Sequence, residues 1–169
     1  MSYISAHLAR RVLRPTVWLL LAGFALASRP AAGAEATLFL SGAEPGLAWK
    51  SGIGGAFGIT LFNVGGFEVE GAHQTGEVID SGLLTLSGRA FIAPTFGRIV
   101  PYAGLSLGAY RATLGSEDDW GTMSGVFVGA KLKLPLGLLL RGEYQWTRFP
   151  EGALVPMDSR YYAGVGLGF

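Results

Sequence analysis

From residue 49 onward, hydrophobic and polar residues alternate with a period of two, and turn residues interrupt the alternation at regular intervals. Successive side chains of a β-strand point to opposite faces, so this periodicity predicts strands rather than helices. Eight segments follow, at roughly 36–42, 49–62, 66–75, 82–93, 99–113, 121–134, 137–148 and 159–169. Most reach the ~9–11 residues that a tilted strand needs to cross a bilayer. In the second segment Ile53, Gly55, Phe57, Ile59 and Leu61 oppose Gly54, Ala56, Gly58 and Thr60. In the third, Phe67, Val69 and Gly71 oppose Glu68, Glu70 and Gln74, and the fourth sets Leu84, Leu86, Ala90 and Ile92 against Thr85, Ser87 and Arg89. The sixth sets Val126, Val128, Ala130, Leu132 and Leu134 against Gly125, Gly129, Lys131 and Lys133, and the seventh sets Leu138, Leu140, Tyr144 and Trp146 against Arg141, Glu143, Gln145 and Thr147. The last alternates Tyr161, Ala163, Val165, Leu167 and Phe169 with Gly164, Gly166 and Gly168.

A soluble sandwich or barrel turns its apolar face inward and covers the other face with charge. Here the less apolar face is mostly glycine, serine and threonine with a few charges, too sparse for a solvated exterior and small enough to line a narrow lumen. Lipid outside and small polar groups inside satisfy every strand, and closure pairs every backbone group in a medium without water. The predicted fold is all-β, an eight-stranded antiparallel transmembrane up-and-down β-barrel.

The connections support this. Those after even strands are short: Asn63-Val64-Gly65, Pro94 to Arg98, and Pro135-Leu136. Those after odd strands are longer, at Ala43 to Ala48, Gly76 to Ser81, Leu114 to Trp120 and Phe149 to Asp158. The longer set carries Glu44, Glu77, Asp80, Glu117, Asp118, Asp119, Glu151 and Asp158; the short set has no carboxylate. Short turns face the periplasm and longer loops face outward in outer-membrane barrels. Trp49, Trp120, Trp146 and Tyr161 fall at outer strand ends, and Phe62, Phe67, Phe96, Tyr102 and Phe169 at inner ends, where interfacial girdles belong.

The N-terminus adds a compartment. Arg10, Arg11 and Arg14 precede an apolar run from Val17 to Ala27, and Ala32-Gly33-Ala34 offers a small-residue cleavage site. This reads as a signal peptide over 1–34, with Glu35 opening a mature barrel over 35–169. The run is shorter than the ~20 apolar residues of a membrane helix. Of the 13 basic residues, Arg10, Arg11, Arg14 and Arg29 lie in the signal, and none of the 12 acidic ones does, leaving nine basic against twelve acidic and a net charge of −3. That balance gives no footprint for a nucleic-acid partner. The chain has no cysteine and only His7 and His73, which excludes disulfides, thiolate metal sites and multi-histidine sites.

The closing stretch Tyr162-Ala-Gly164-Val-Gly-Leu167-Gly-Phe169 is similar to the C-terminal assembly signal of outer-membrane barrels, with Leu167 standing where an aromatic is more usual. Gly66-Phe-Glu-Val-Glu-Gly71 and Val100-Pro-Tyr-Ala-Gly-Leu-Ser-Leu-Gly108 resemble strands of the OmpA-like and OmpX-like small barrels. The resemblance implies a Gram-negative cell outer membrane, insertion by the barrel-assembly machinery with periplasmic chaperones, and contact with outer-membrane lipid and lipopolysaccharide. It implies no catalytic residue and no cofactor, and the protein is expected as a monomer. No cell-wall-binding domain is expected after Phe169.

Glu68, Glu70, Arg89, Lys131, Lys133, Arg141 and Glu143 share the inward parity. An eight-stranded barrel is only wide enough for side chains to fill, and buried charges must pair. Glu68 or Glu70 is therefore expected to meet Arg89, and Glu143 to sit among Lys131 and Arg141, as a salt-bridged plug rather than an ion path. His73, with Asp80 and Ser81 across a loop, raises the chemistry of lipid A-modifying enzymes, but His73-Gln-Thr75 lacks the His-x-Ser spacing of PagL-type deacylases, and an interfacial histidine is the plainer reading. Glu117-Asp118-Asp119 could hold a divalent cation, yet reads as a solvated loop tip. The glycine clusters at 52–58 and 164–168 precede no helix, so they are not phosphate loops. The expected role is structural or surface-interacting, and loops this short offer an adhesin little contact area.

Overall fold

The computed structural model describes residues 33–43, 49–62, 64–76, 81–154 and 157–169, with side chains at 43, 49, 50, 157 and 158 excepted. Residues 1–32 of the segment expected as a signal peptide, and Glu44, Glu77 and Asp80, lie outside the described residues. Eight antiparallel strands close on themselves in chain order, so the architecture is the up-and-down barrel that the alternation predicts. They are β1 (Gly33–Ala43), β2 (Trp49–Leu61), β3 (Gly65–Gly76), β4 (Ser81–Ile92), β5 (Ile99–Leu114), β6 (Glu117–Lys133), β7 (Leu138–Arg148) and β8 (Met157–Gly168). Strand β1 pairs with β8 from Glu35–Gly168 to Ala43–Arg160, and this pair seals the cylinder.

Three expectations need correcting at the strand ends. Strand β1 runs longer than 36–42, because Gly33 to Glu35 pair with Thr60 to Gly58 although they show no hydrophobic alternation. The third outer loop shrinks to a tight turn: Leu114 pairs with Glu117, and Gly115 supplies the left-handed backbone at φ 61°. Glu117-Asp118-Asp119 therefore opens β6 instead of forming a loop tip. Pro135–Gly137 forms a single 3-10 turn at the β6–β7 connection, so β7 starts at Leu138.

Face assignment follows the pleat. On β4 every second residue from Leu83 to Phe91 is buried, and those between are exposed from Leu84 to Ile92. The outward set is large and apolar, with Leu107 71% exposed, Leu38 and Leu40 68%, and Leu105 64%. A soluble monomer rarely shows contiguous apolar surface beyond a few hundred Å². A belt of this kind is stable only in a solvent that is itself apolar.

The lumen is not lined by small residues alone, as the alternation suggested. Phe39, Phe91, Tyr102, Tyr110, Met123, Phe127, Leu139 and Tyr162 are all buried inside it. Glycines on neighbouring strands make the room. A Cβ on Gly54 would lie 2.3 Å from the Phe39 ring, one on Gly104 2.5 Å from Phe127, and one on Gly129 2.5 Å from the Tyr102 hydroxyl. Alternation of large and null side chains around the wall is how a narrow barrel fills its interior without voids. Tyr102, expected in the inner aromatic girdle, thus belongs to the interior, whereas Trp120, Phe62, Phe67, Phe96 and Phe169 are exposed on the outside.

Candidate functional site: the ionic interior

The inward parity of β3, β4, β7 and β8 carries charge to one level of the lumen. Strand pairing sets Glu68 directly opposite Arg89, and Glu143 lies between Gly129 on β6 and Tyr162 on β8. Arg89 Nη1 donates to Glu68 Oε1 at 2.9 Å and also to Glu70, while its Nη2 donates to Glu143. Arg141 clasps Glu68 with both terminal nitrogens, at 2.7 and 2.8 Å, and donates to Glu143 Oε2 at 2.7 Å. Two tyrosines complete the mesh. Tyr102 donates to Glu143 at 2.7 Å and accepts from Arg141 Nε at 2.8 Å; the Tyr162 hydroxyl, with one proton to donate, lies between two acceptors, Glu70 at 2.8 Å and Glu143.

Arg160 adds a third guanidinium, donating to Gln145 Oε1 at 2.9 and 3.1 Å and reaching Glu70 Oε1 at 3.4 Å. Three carboxylates and three guanidiniums therefore meet in one connected network whose members are all buried. Removing water from each ion costs several kcal/mol, and only near-complete pairing offsets that. Aromatic faces supply further cation contact: the Arg89 guanidinium carbon sits 3.7 Å above the Phe127 ring centroid, and that of Arg141 5.2 Å from Tyr102.

Each residue singled out from the sequence has a definite place. Glu68 and Glu70 both meet Arg89, and Glu143 meets Arg141. Lys131 does not join Glu143; it turns toward the start of β1, pairs with Glu35 and lies 4.9 Å from the Phe91 ring. Lys133 is half-buried below it. Of the closing-strand residues, Tyr162 is inside and stacked on Phe39 at 4.4 Å, Gly164 packs under the β1 backbone, and Leu167 and Phe169 face outward. Sequence reasoning missed Tyr102, Tyr162 and Arg160 as network members and Glu35 as the partner of Lys131. Arg160 and Tyr162 share a parity on β8, a signal that was present in the alternation.

The other candidates disperse. His73 is exposed on the apolar exterior, paired in register with Leu84 and Ile53. The acidic triplet splays along β6: Asp118 accepts from Arg111 at 2.8 Å and from Thr113 at 2.7 Å, while Asp119 faces inward and accepts from Tyr110 at 2.9 Å. Those bonds from Arg111 and Thr113 hold the exposed Asp118 carboxyl below the usual aspartate range. Among the described residues no three potential metal ligands cluster. At the outer mouth Phe149 packs edge-on against Tyr110 at 4.7 Å, and the Leu154 N–H donates to Asp119 at 3.1 Å, so the start of the fourth loop folds over the lumen.

No protein-family model matches the chain, and no curated protein matches it. Solved structures do. Neisserial surface protein A (NspA) superposes with a TM-score of 0.63 at 20% identity, over 82% of this chain and 96% of that one. The N-terminal β-barrel domain of Pseudomonas aeruginosa OprF gives 0.59 at 18% identity, over 81% and 97%. Ail, the attachment invasion locus protein of Yersinia pestis, crystallised with the heparin analogue sucrose octasulfate, gives 0.53 at 11% identity, over 82% and 99%.

Proposed function

The chain has the fold of the small eight-stranded outer-membrane barrels, and from that premise we propose that it is an integral protein of the Gram-negative outer membrane, non-catalytic, with a lumen closed by an ionic plug. Its role on this reading is structural support of the envelope or surface interaction through its outer hairpins. The observation that carries the reading is the opposition of the two faces: an exterior of exposed leucine, valine and phenylalanine around an interior of mutually paired charges. Lipid and lipopolysaccharide are the partners such an exterior meets. Export by a cleaved signal, delivery by periplasmic chaperones and recognition of the Tyr162 to Phe169 stretch by the assembly machinery accompany the same reading, as does a monomeric state.

Closure of the lumen rests on pairing and bulk together. Glu68 and Glu143 are tied across the lumen to Arg141 and Arg89 respectively, Glu70 is tied to Arg89 on the neighbouring strand, and Phe127, Tyr102 and Tyr162 fill the space between. A hydrated ion entering that level has to separate pairs whose partners are out of water. Ail binds a polyanion analogue in its crystal; the outer end of this barrel carries Glu117, Asp118 and Glu151 against Arg111 and Arg148 among the described residues, a balance that does not favour a sulfated ligand.

Planar-bilayer recording of the refolded protein tests the plug. Silent bilayers are expected; regular conductance steps that change on Glu70→Gln or Arg89→Ala would replace the plug with an ion path.

A further inference from the structure

The first two residues of β1 extend the barrel's pairing beyond Glu35. Gly33 pairs with Thr60 and Ala34 with Ile59 on one side. On the other side Ala34 and Phe169 exchange both backbone hydrogen bonds, from Ala34 N–H at 2.8 Å and from Phe169 N–H at 2.9 Å. These bonds fasten the seam between the first and last strands at its periplasmic end.

A mature chain that began at Glu35 would lack all of them. The Phe169 N–H and C=O would be left at an open edge, the condition that a closed barrel exists to avoid. The new α-ammonium would also fall on Glu35, whose carboxylate is the partner of the buried Lys131. The sequence contains a second small-x-small site, Ala25-Leu26-Ala27, which ends the apolar run itself. Arg29 and Pro30 stand between that run and Ala32-Gly33-Ala34.

We infer that the export signal is hydrolysed at the Ala27–Ser28 bond, so that Ala34 remains to fasten the β1–β8 seam at Phe169 and Gly33 remains to pair with Thr60 on β2. This rests on the export reading above. Water adds across that amide, giving the Ala27 carboxylate on the released peptide and the Ser28 ammonium on the barrel. The cut satisfies the small-residue requirement at the first and third positions before the bond. It leaves Ser28 to Ala32 ahead of β1 in the chain and puts the terminal ammonium seven residues before Glu35, the partner of Lys131.

The test is an intact mass and N-terminal sequence of the protein extracted from the outer-membrane fraction of a Gram-negative host expressing the full chain. A start at Ser28 is expected; a start at Glu35, or at any other residue after Met1, overturns the site. Retention of Met1 would instead remove the export reading. Two variants separate the sites by processing alone, whatever their effect on folding. Ala27→Arg should accumulate precursor, while Ala34→Leu, which places a large side chain directly before the other bond, should be cut as the parent is. The reverse outcome would assign the bond after Ala34.

Discussion

Arg141 on β7 grips Glu68 on β3 through two parallel hydrogen bonds of 2.7 and 2.8 Å, and these strands lie on opposite walls of the cylinder. The contact is a cross-brace spanning the lumen. Bidentate guanidinium–carboxylate geometry is the strongest form of such a pair, and here it joins residues 73 positions apart. Neighbouring hairpins account for local pairing; the brace couples the two halves of the barrel.

Arg141→Met should destabilise the barrel by about 3–5 kcal/mol, because it strands carboxylates that are out of water. Urea unfolding in lipid vesicles reads this. Adding Glu68→Leu to the same chain should cost much less than the sum of the two single losses, since no unpaired ion then remains at that site. Full additivity would mean the two side chains do not interact.

On the exterior the sign reverses. Leu86 lies mid-strand on β4 and is 60% exposed. Leu86→Arg should cost about 2–4 kcal/mol in a bilayer, the penalty for arginine near the midplane of a membrane barrel. A neutral effect in the same vesicle assay would indicate that this face meets water.

His73 is exposed on the apolar face, in register with Leu84. His73→Ala should leave the lipid A profile of the host unchanged, as judged by mass spectrometry of extracted lipid A. A changed profile with intact folding would reinstate a lipid A-modifying enzyme.

The outer β5–β6 hairpin has its own pH response. Asp118 titrates below its ordinary value of 3.8 because Arg111 and Thr113 donate to the charged form. A depressed folded-state value means the contact contributes fully above that ordinary value and is lost as pH falls through the lower folded one. Carboxyl titration by NMR should show Asp118 below the ordinary value in the parent and close to it in Arg111→Ala. A normal value in the parent would remove the contact.

The sequence made the side-chain parity legible wherever alternation was strong. Glu68, Glu70, Arg89, Arg141 and Glu143 could be assigned to one lumen from spacing alone, and the Glu–Arg pairing followed from the cost of unpaired buried charge. What it concealed depends on contacts between distant strands. Lys131 turns to Glu35, 96 residues away, across a closure that no local pattern encodes. Tyr102 reads as an interfacial residue until Gly129 is seen to clear space beside it, and Phe127, which the alternation left unassigned, fits inside because Gly104 leaves room for its ring. The start of β6 was hidden because three consecutive carboxylates break the alternation although the backbone continues to pair.

The orientation of the two faces is most directly measured at adjacent residues of one strand. The chain has no cysteine, so Leu105→Cys and Ser106→Cys each accept a single spin label, at positions 64% and 3% exposed. In vesicles, lipid-soluble oxygen should relax the label at 105 strongly, and a water-soluble nickel chelate should reach neither site. Strong relaxation of the 105 label by the nickel chelate, with oxygen ineffective there, would contradict a barrel that faces lipid with its apolar side.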